Sequence, residues 1–295
     1  MFDSRFSFGK NWSDFLRYGL DPERIAIATR ETSSFLGLPH LRGLTFMDIG
    51  CGSGLFSFAA HALAAEQITS FDVDPLAVQC CLNMKQRAGN PGNWEVFQGS
   101  ILDPKTLEHL PSVDVVYAWG VLHHTGDMWT AIRNAAQFAK PGGRFFISIY
   151  NRLEYDSFTS YRGSHGWLRL KRAYNRRGSL GKRAMECCFA GKDIAASLLS
   201  LRNPLRQIRQ YRNRRGMSWW YDIVDWLGGY PYEFASAGEV FDVCRRELGL
   251  TLERLRTTSS IGCNEFLFSR PAARPSPGSP PDMRSGACFS DVTEP

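Results

Sequence analysis

The sequence predicts an α/β fold: a doubly wound, mainly parallel sheet of seven strands with an antiparallel last strand, plus a helical cap. Strand-like and helix-like stretches alternate between Gly43 and Ser269, which is typical of βαβ units. Two of the strand-like stretches, VDVVYAW and RFFISIY, are nearly unbroken apolar runs, as expected for strands covered on both faces. The last two are joined by the short polar segment TTSSIG, which indicates an antiparallel hairpin at a sheet edge.

The individual elements follow from this alternation. The predicted strands are Thr45–Ile49, Ile68–Asp72, Trp94–Gln98, Val113–Trp119, Gly143–Tyr150, Leu250–Arg256 and Cys263–Ser269. The predicted helices are Leu55–Ala65, Pro75–Ala88, Lys105–Leu110, Trp129–Phe138 and Ala237–Leu248. Pro141, Gly142 and Gly143 are expected to end the fourth of these helices and to turn the chain into the fifth strand.

The same reading divides the chain into five parts. Residues 1–42 are expected to form a helical cover, 43–155 and 237–270 the two parts of the core, and 156–236 a cap inserted between them. The apolar stripe of the cap is predicted to include Trp167, Leu168, Leu170, Ala173 and Tyr174. Residues 271–295 are rich in Pro, Ser and Gly, so they are expected to be a disordered tail.

Charge is distributed unevenly along the chain. The 35 Lys and Arg exceed the 29 Asp and Glu by six, yet residues 162–215 alone carry a net charge of +13 and the remainder carries −7. Such asymmetry often marks an anionic partner. An anionic or lipid-like small molecule, an RNA backbone, a docking surface for a protein or a second copy of the chain, and a plain solvated helix pair all remain open.

Composition excludes several classes of protein. With 43% apolar and 22% charged residues, the chain is neither disordered nor fibrous. The longest near-apolar run, Leu55–Ala65, is too short to cross a bilayer, and the N-terminus lacks a signal-peptide core. The eight Cys contain no C-x-x-C pair, so neither a disulfide framework nor a metal site is expected. We therefore expect a cytoplasmic protein, with peripheral contact to the inner membrane surface as an alternative.

The strongest chemical signal is the stretch FMDIGCGSG, residues 46–54, between a strand and a helix. Alternate glycines permit positive φ and let the backbone approach a ligand, and the helix N-terminus that follows suits an anion. Asp72 ends the next strand, where a carboxylate can accept the hydroxyls of a ribose. A dinucleotide site would have G-x-G-x-x-G, whereas this loop has G-x-G-x-G.

Taken with FDVDP, QGSILD, WGVLHH and AKPGGRFFISIY in this order, the loop resembles the Rossmann-like class I S-adenosylmethionine-dependent methyltransferases. The resemblance covers Gly43 to Asn151 and resumes over Ala237 to Ser269. It implies S-adenosylmethionine as cofactor, S-adenosylhomocysteine as product, and a set of cofactor-binding residues: Asp48, Gly50, Cys51, Gly52 and Gly54 at the loop, Asp72 at the ribose, Val73, Ser100 and Ile101 around the adenine, and Trp119 nearby. FGKNW, VDWLGGYPYE and GCNEFLF extend a resemblance to a bacterial group of unassigned substrate.

Two histidines follow the fourth strand, at the sheet edge where open α/β sheets bind ligands. His can accept a proton near neutral pH, and related ubiquinone-pathway methyltransferases carry a His at this turn, which His124 matches better than His123. Aromatic side chains are dense near the expected mouth of the site. The candidate substrate residues are Trp12, Tyr150, Trp219, Trp220, Asp222, Trp226 and Tyr230.

These observations predict methyl transfer to a small molecule. Oxygen is the preferred acceptor because a His base is available and no Asn-Pro-Pro-Tyr-type motif follows the fourth strand. Two alternatives remain open: an RNA or protein methyltransferase that docks through the basic segment, and a scaffold that binds cofactor without transfer.

Overall fold

The computed structural model describes residues 6, 8–154, 163–201, 203–206, 208 and 219–272. Its centre is a sheet of seven strands in the order β3-β2-β1-β4-β5-β7-β6. The strands are β1 (Thr45–Ile49), β2 (Gln67–Asp72), β3 (Trp94–Gln98), β4 (Val113–Trp119), β5 (Ala139–Tyr150), β6 (Thr251–Arg256) and β7 (Cys263–Ser269). β7 runs antiparallel to both of its neighbours, and the other neighbouring pairs are parallel. The predicted fold class is confirmed.

Helices alternate with the strands. Before β1 lie α1 (Gly9–Tyr18) and α2 (Pro22–Leu36), and within the core lie α3 (Leu55–Ala62), α4 (Pro75–Arg87), α5 (Pro104–His109) and α6 (Met128–Ala136). The cap contains α7 (Ser164–Asn175), α8 (Ser179–Leu199) and α9 (Trp219–Gly228); α10 (Ala237–Asp242) continues as a π-helix over Val243–Glu247. Local chemistry explains two of the starts: Asp74 and Asp103 accept hydrogen bonds from the first turns of α4 and α5, each of which begins with proline.

Both faces of the sheet are covered by apolar side chains. Met47 and Phe145 belong to the core on one face, whereas their neighbours Phe46 and Phe146 belong to the core on the other. Successive residues of a strand point to opposite faces, so each strand contributes to both cores. This burial explains why the fourth and fifth strands are apolar along nearly their whole length.

The start of β5 differs from the prediction. The strand begins at Ala139 rather than Gly143, because Ala139 already pairs with Val113 before a register shift restores regular pairing at Arg144. The turn expected at Pro141 to Gly143 is therefore an irregularity inside the paired region, with Gly142 at φ +78°. The preceding helix correspondingly ends at Ala136, two residues before the predicted end.

The cap has an apolar core of its own. Trp167, Tyr174, Ile223, Leu227 and Tyr232 are buried together, and Tyr150 at the end of β5 packs against them. The predicted stripe on α7 is wrong at Ala173, which is exposed, because the buried face runs through residues 167, 171 and 174.

The described ranges contain no helix of sufficient length and apolar character to cross a bilayer. The predicted tail lies outside the described residues from position 273 onward. The other predicted boundaries between cover, core and cap remain predictions.

Candidate functional site

The glycine-rich loop leaves β1 with three glycines in the left-handed region: Gly50, Gly52 and Gly54 have φ of +66°, +53° and +80°. A Cβ on Gly50 would lie 2.3 Å from a methyl carbon of Val121, and one on Gly54 would lie 2.8 Å from the Cα of Cys81. The fold therefore requires glycine here for conformation and for space. The loop is held by the amides of Gly50 and Cys51, which both donate to the carbonyl of Phe71 on β2.

Asp72 lies beside this loop at the end of β2. Its carboxylate accepts hydrogen bonds from the amides of Gly52, at 3.0 Å, and Asp74, at 2.9 Å. Burial raises the pKa of Asp72, and these bonds oppose the rise by stabilising the charged form. The carboxylate is thereby fixed at the loop, in the position that a ribose-binding acid requires.

A second carboxylate lies beneath the loop. Asp48 accepts a 2.5 Å hydrogen bond from the hydroxyl of Ser57, which lies 2.8 Å from the hydroxyl of Ser70. The Ser70 hydroxyl in turn accepts from the indole of Trp94 at 2.9 Å. Burial raises the pKa of Asp48 to about 7, and the charge of Asp72 adds to the rise. This buried chain of hydrogen bonds connects β1 and α3, which flank the loop, to β2 and β3.

The remaining predicted cofactor residues surround the same sheet edge. Val73 is 49% exposed, so its side chain is accessible after Asp72, and Ile101 is buried. The Ser100 hydroxyl accepts from the amide of Leu102. Trp119 is 42% exposed and donates to Glu265 on β7. A loop with glycine at alternate positions, a fixed carboxylate and an accessible apolar residue fit a ligand with ribose hydroxyls and a flat base.

The N-terminal helix packs on the loop. A Cβ on Gly52 would lie 2.9 Å from the indole nitrogen of Trp12, so the Trp12 ring covers this glycine. The amide of Gly9 donates to the carboxylate of Asp74 at 2.9 Å, which fixes the start of α1 beside α4. Trp12, predicted as a substrate residue, is therefore placed against the predicted cofactor loop.

The two histidines after β4 have opposite hydrogen-bonding roles. Nδ1 of His124 lies 2.5 Å from the carbonyl oxygen of Pro231, which can only accept, so Nδ1 carries the proton and Nε2 is the acceptor. Nδ1 of His123 instead accepts from the amide of Tyr150 at 3.3 Å. The Nδ1 lone pair of His123 is thus committed to the fold, whereas the accepting nitrogen of His124 is Nε2.

Two rings around His124 come from distant parts of the chain. Phe8 from the N-terminal segment lies 4.8 Å from the His124 ring, measured between centroids, and Tyr150 from β5 lies 5.5 Å away. Burial lowers the pKa of His124 to about 3 and that of His123 well below its usual value. Both imidazoles are therefore neutral at physiological pH.

The other candidate substrate residues are divided between two places. Tyr150 joins the histidines, and the carbonyl of Tyr230 accepts from the amide of Phe6. Trp219 and Trp226 line a cavity of about 230 Å³ inside the cap, and Trp220 lies under the guanidinium of Arg183. Asp222 is on α9, and its side chain lies outside the described part of the chain.

Several residues near the histidines are absent from the sequence-based set. The Lys171 ammonium donates to the carbonyl of Trp226 at 2.6 Å and lies 5.0 Å from the centre of the Tyr232 ring. Asp225 accepts a hydrogen bond from the side chain of Asn11. Helical spacing on α7 could have indicated that Lys171 is buried, because Lys171 lies four residues after Trp167 on the apolar face. No comparable local spacing indicates Asn11 or Asp225.

The sheet order and the glycine loop after β1 define the class I methyltransferase architecture. Residues 47–145 match the family model described as a methyltransferase domain. Over these residues the chain is similar to a methyltransferase domain, and S-adenosylmethionine is the cofactor that this match supports.

Two curated relatives share the name ubiquinone biosynthesis O-methyltransferase. The protein from Methylobacterium sp. strain 4-46 is 31% identical over 147 residues, which are 45% of this chain and 55% of the relative. The protein from Nitrosospira multiformis is 27% identical over 180 residues, 57% of this chain and 71% of the relative. The alignment thus spans little more than half of the first relative.

Among solved structures, magnesium protoporphyrin IX methyltransferase from Synechocystis PCC 6803 aligns with a TM-score of 0.49 at 14% identity, over 88% of this chain and 93% of that protein.

Proposed function

We propose that this protein transfers the methyl group of S-adenosylmethionine to an oxygen atom of a small-molecule acceptor, with His124 as general base. The observation that carries the proposal is the tautomer of His124. Pro231 holds the proton on Nδ1, so Nε2 presents a lone pair at the carboxyl end of β4, where ligands bind in open α/β sheets.

The cofactor would be held by Asp48, Gly50, Gly52 and Asp72, and it supplies an electrophilic methyl carbon on a positively charged sulfur. The acceptor hydroxyl gives its proton to Nε2 of His124 while its oxygen forms the bond to the methyl carbon. The products would be neutral S-adenosylhomocysteine, which keeps the electron pair of the former carbon–sulfur bond, and a methyl ether or ester, with the acceptor's proton on Nε2 of His124. Alignment of oxygen and carbon contributes most of the rate in such displacements.

Burial keeps the imidazole of His124 neutral but also makes it a weaker base, because a general base is most effective when its pKa lies near the working pH. Because the pKa of His124 is lowered to about 3, the imidazole is in its proton-accepting form throughout the physiological range. The Phe8 and Tyr150 rings pack against it. His123 does not compete, since its Nδ1 accepts from the backbone and its ring is buried against Tyr150.

Oxygen as the acceptor atom rests on the base and on the names of the relatives. A hydroxyl must lose a proton during transfer, which a neutral imidazole can take. The relatives from Methylobacterium and Nitrosospira are named O-methyltransferases. A small molecule fits the enclosed position of His124 better than a polymer does, because side chains of the N-terminal segment and β5 cover it.

The test uses cofactor labelled in the methyl group, added with the protein to a cell extract that is then fractionated into protein, nucleic acid, lipid and small molecules. Label is expected in a small-molecule fraction or a lipid extract. His124→Gln should reduce transfer by about 100-fold or more with unchanged affinity for S-adenosylhomocysteine, since general bases contribute about 10²–10⁴. His109→Gln, at an exposed position on α5, is the matched control.

Three outcomes would contradict the proposal. Label in RNA alone or in protein alone would assign the chain to a polymer methyltransferase. Cofactor binding without label in any fraction would indicate a scaffold. Full transfer by His124→Gln would remove the base and leave the acceptor atom open.

A further inference from the structure

The side chain of Lys171 is a basic group that the fold buries. Among the described residues, no other Lys or Arg falls in the buried class, and Lys171 is 1% exposed. The described basic side chains elsewhere on α7 and α8, such as Arg172 and Lys192, are at least partly exposed. Among the described basic residues of α7 and α8, Lys171 is thus the cation that has been removed from water.

Within the described part of the chain, the Lys171 ammonium donates to one backbone carbonyl. An ammonium has three donors, and one of them bonds to the carbonyl of Trp226 at 2.6 Å, in the last turn of α9. The face of Tyr232 lies 5.0 Å from Nζ, and the carboxylate of Asp225 favours the charged form. Capping a helix end is the simplest role for such a residue, but a neutral donor would do so without the desolvation of a charge.

Lys171 faces the proposed base. From the point where a Cβ on Gly229 would be, Nζ of Lys171 and Cε1 of His124 are each 3.3 Å away. The two side chains therefore flank the same glycine, with no side chain from Gly229 between them. The charge of Lys171 also contributes to the low pKa of both His123 and His124.

We propose that Lys171 selects the methyl acceptor by binding a carboxylate of it, beside the hydroxyl that His124 deprotonates. This inference rests on the proposed function and names the chemical class of its substrate. Tyr150, Tyr232 and Phe8 line the surroundings of the histidines and Lys171, so an aromatic hydroxy acid matches the apolar walls and the buried cation together.

Protonation provides a signature of this role. Burial lowers the pKa of Lys171 to about 7, although Asp225 acts in the opposite direction. The other titratable groups facing it are His123, His124 and Tyr232, and burial keeps all three uncharged near neutral pH. An anion bound at pH 8 should therefore bring a proton onto Lys171, which a purely structural lysine would not show.

The experiment measures binding of benzoate and of benzamide, which has the same shape without the charge, to protein loaded with S-adenosylhomocysteine. Calorimetry at pH 8 in buffers of different ionisation enthalpy gives both affinity and proton uptake. Wild type should bind benzoate at least about tenfold more tightly than benzamide, with uptake of up to one proton. Lys171→Gln keeps a neutral donor for Trp226, so it should lose the preference while its fold is retained. Lys192→Gln, an exposed change of the same charge, should behave as wild type.

Three results would each overturn the inference. Wild type could bind the two probes with equal affinity, it could fail to bind benzoate, or Lys171→Gln could keep the wild-type preference for benzoate. A transfer assay separates this result from the proposed function. Labelled product that passes unretained through an anion exchanger at pH 8 would refute the anionic acceptor while leaving methyl transfer intact. Absence of transfer by wild type, in contrast, would contradict the proposed function itself.

Discussion

Burial of the Lys171 ammonium predicts an unusual dependence of stability on pH. The pKa of Lys171 is about 7 in the folded protein against an ordinary value of 10.5. Between these two values the unfolded chain binds more protons than the folded chain, so the free energy of unfolding rises with pH. The destabilisation is complete below pH 7 and disappears as the pH approaches 10.5.

The magnitude follows from the two pKa values. Each unit is worth about 1.4 kcal/mol, so the full shift corresponds to about 5 kcal/mol. Only part of this is recovered over an accessible range, and between pH 7 and pH 9 the wild type should gain about 2 kcal/mol from this group. Because Lys171 is 1% exposed, solvent screening reduces this figure little.

Lys171→Met isolates the effect, because methionine keeps an unbranched apolar stem and removes the charge. Urea unfolding at pH 7, 8 and 9, followed by tryptophan fluorescence, gives the free energies of both proteins. Their difference should shift by about 2 kcal/mol in favour of the wild type across this range. The other titrating groups are shared, and His123 and His124, whose pKa values depend on Lys171, are neutral across this range, so their contributions cancel. If the difference in free energy of unfolding stays constant within about 0.5 kcal/mol, or moves in the opposite direction, the burial of a charged lysine is refuted. The control, Lys192→Met, should show no shift of this difference with pH.

Three further changes probe the site. Gly54→Ala should destabilise the fold by about 1–3 kcal/mol more than Gly89→Ala, because both glycines have positive φ but only Gly54 faces backbone at 2.8 Å; equal losses in urea unfolding would contradict this. Asp72→Asn should weaken S-adenosylhomocysteine binding by about tenfold or more in calorimetry, whereas Asp103→Asn at the start of α5 should not. If Lys171 binds the acceptor as a cation, kcat/KM should fall as the pH rises above about 7, and Lys171→Arg should move this fall to higher pH; an unchanged profile would argue against the role.

Local pattern is sufficient to predict most of the sheet. β1, β3, β4 and β7 have the predicted bounds, because each is a short run with clear turn residues on both sides. β5 starts earlier than predicted because a glycine-rich segment can still pair when a neighbouring strand tolerates a register shift. A pairing partner in another part of the chain determines that start, and local propensity carries no information about it.

The candidate site was predictable to different depths. The loop glycines and Asp72 are close in sequence to the strands that position them, so spacing alone brings them together. The choice between His123 and His124, in contrast, depends on Pro231, which lies 107 residues further on. The net charge of the basic segment likewise does not indicate that Lys171 is buried, because the count does not distinguish a buried cation from an exposed one.

The site thus depends on contacts between distant segments. Pro231, between α9 and α10, fixes the proton on His124, and Lys171 on α7 faces the same imidazole across Gly229. The N-terminal cover joins this arrangement through Asn11, which donates to Asp225, the carboxylate that favours the charged form of Lys171. An acceptor that reaches His124 must therefore fit among all three segments at once. Under the proposed function, the core supplies the cofactor site, and the cover and cap determine which acceptor is methylated.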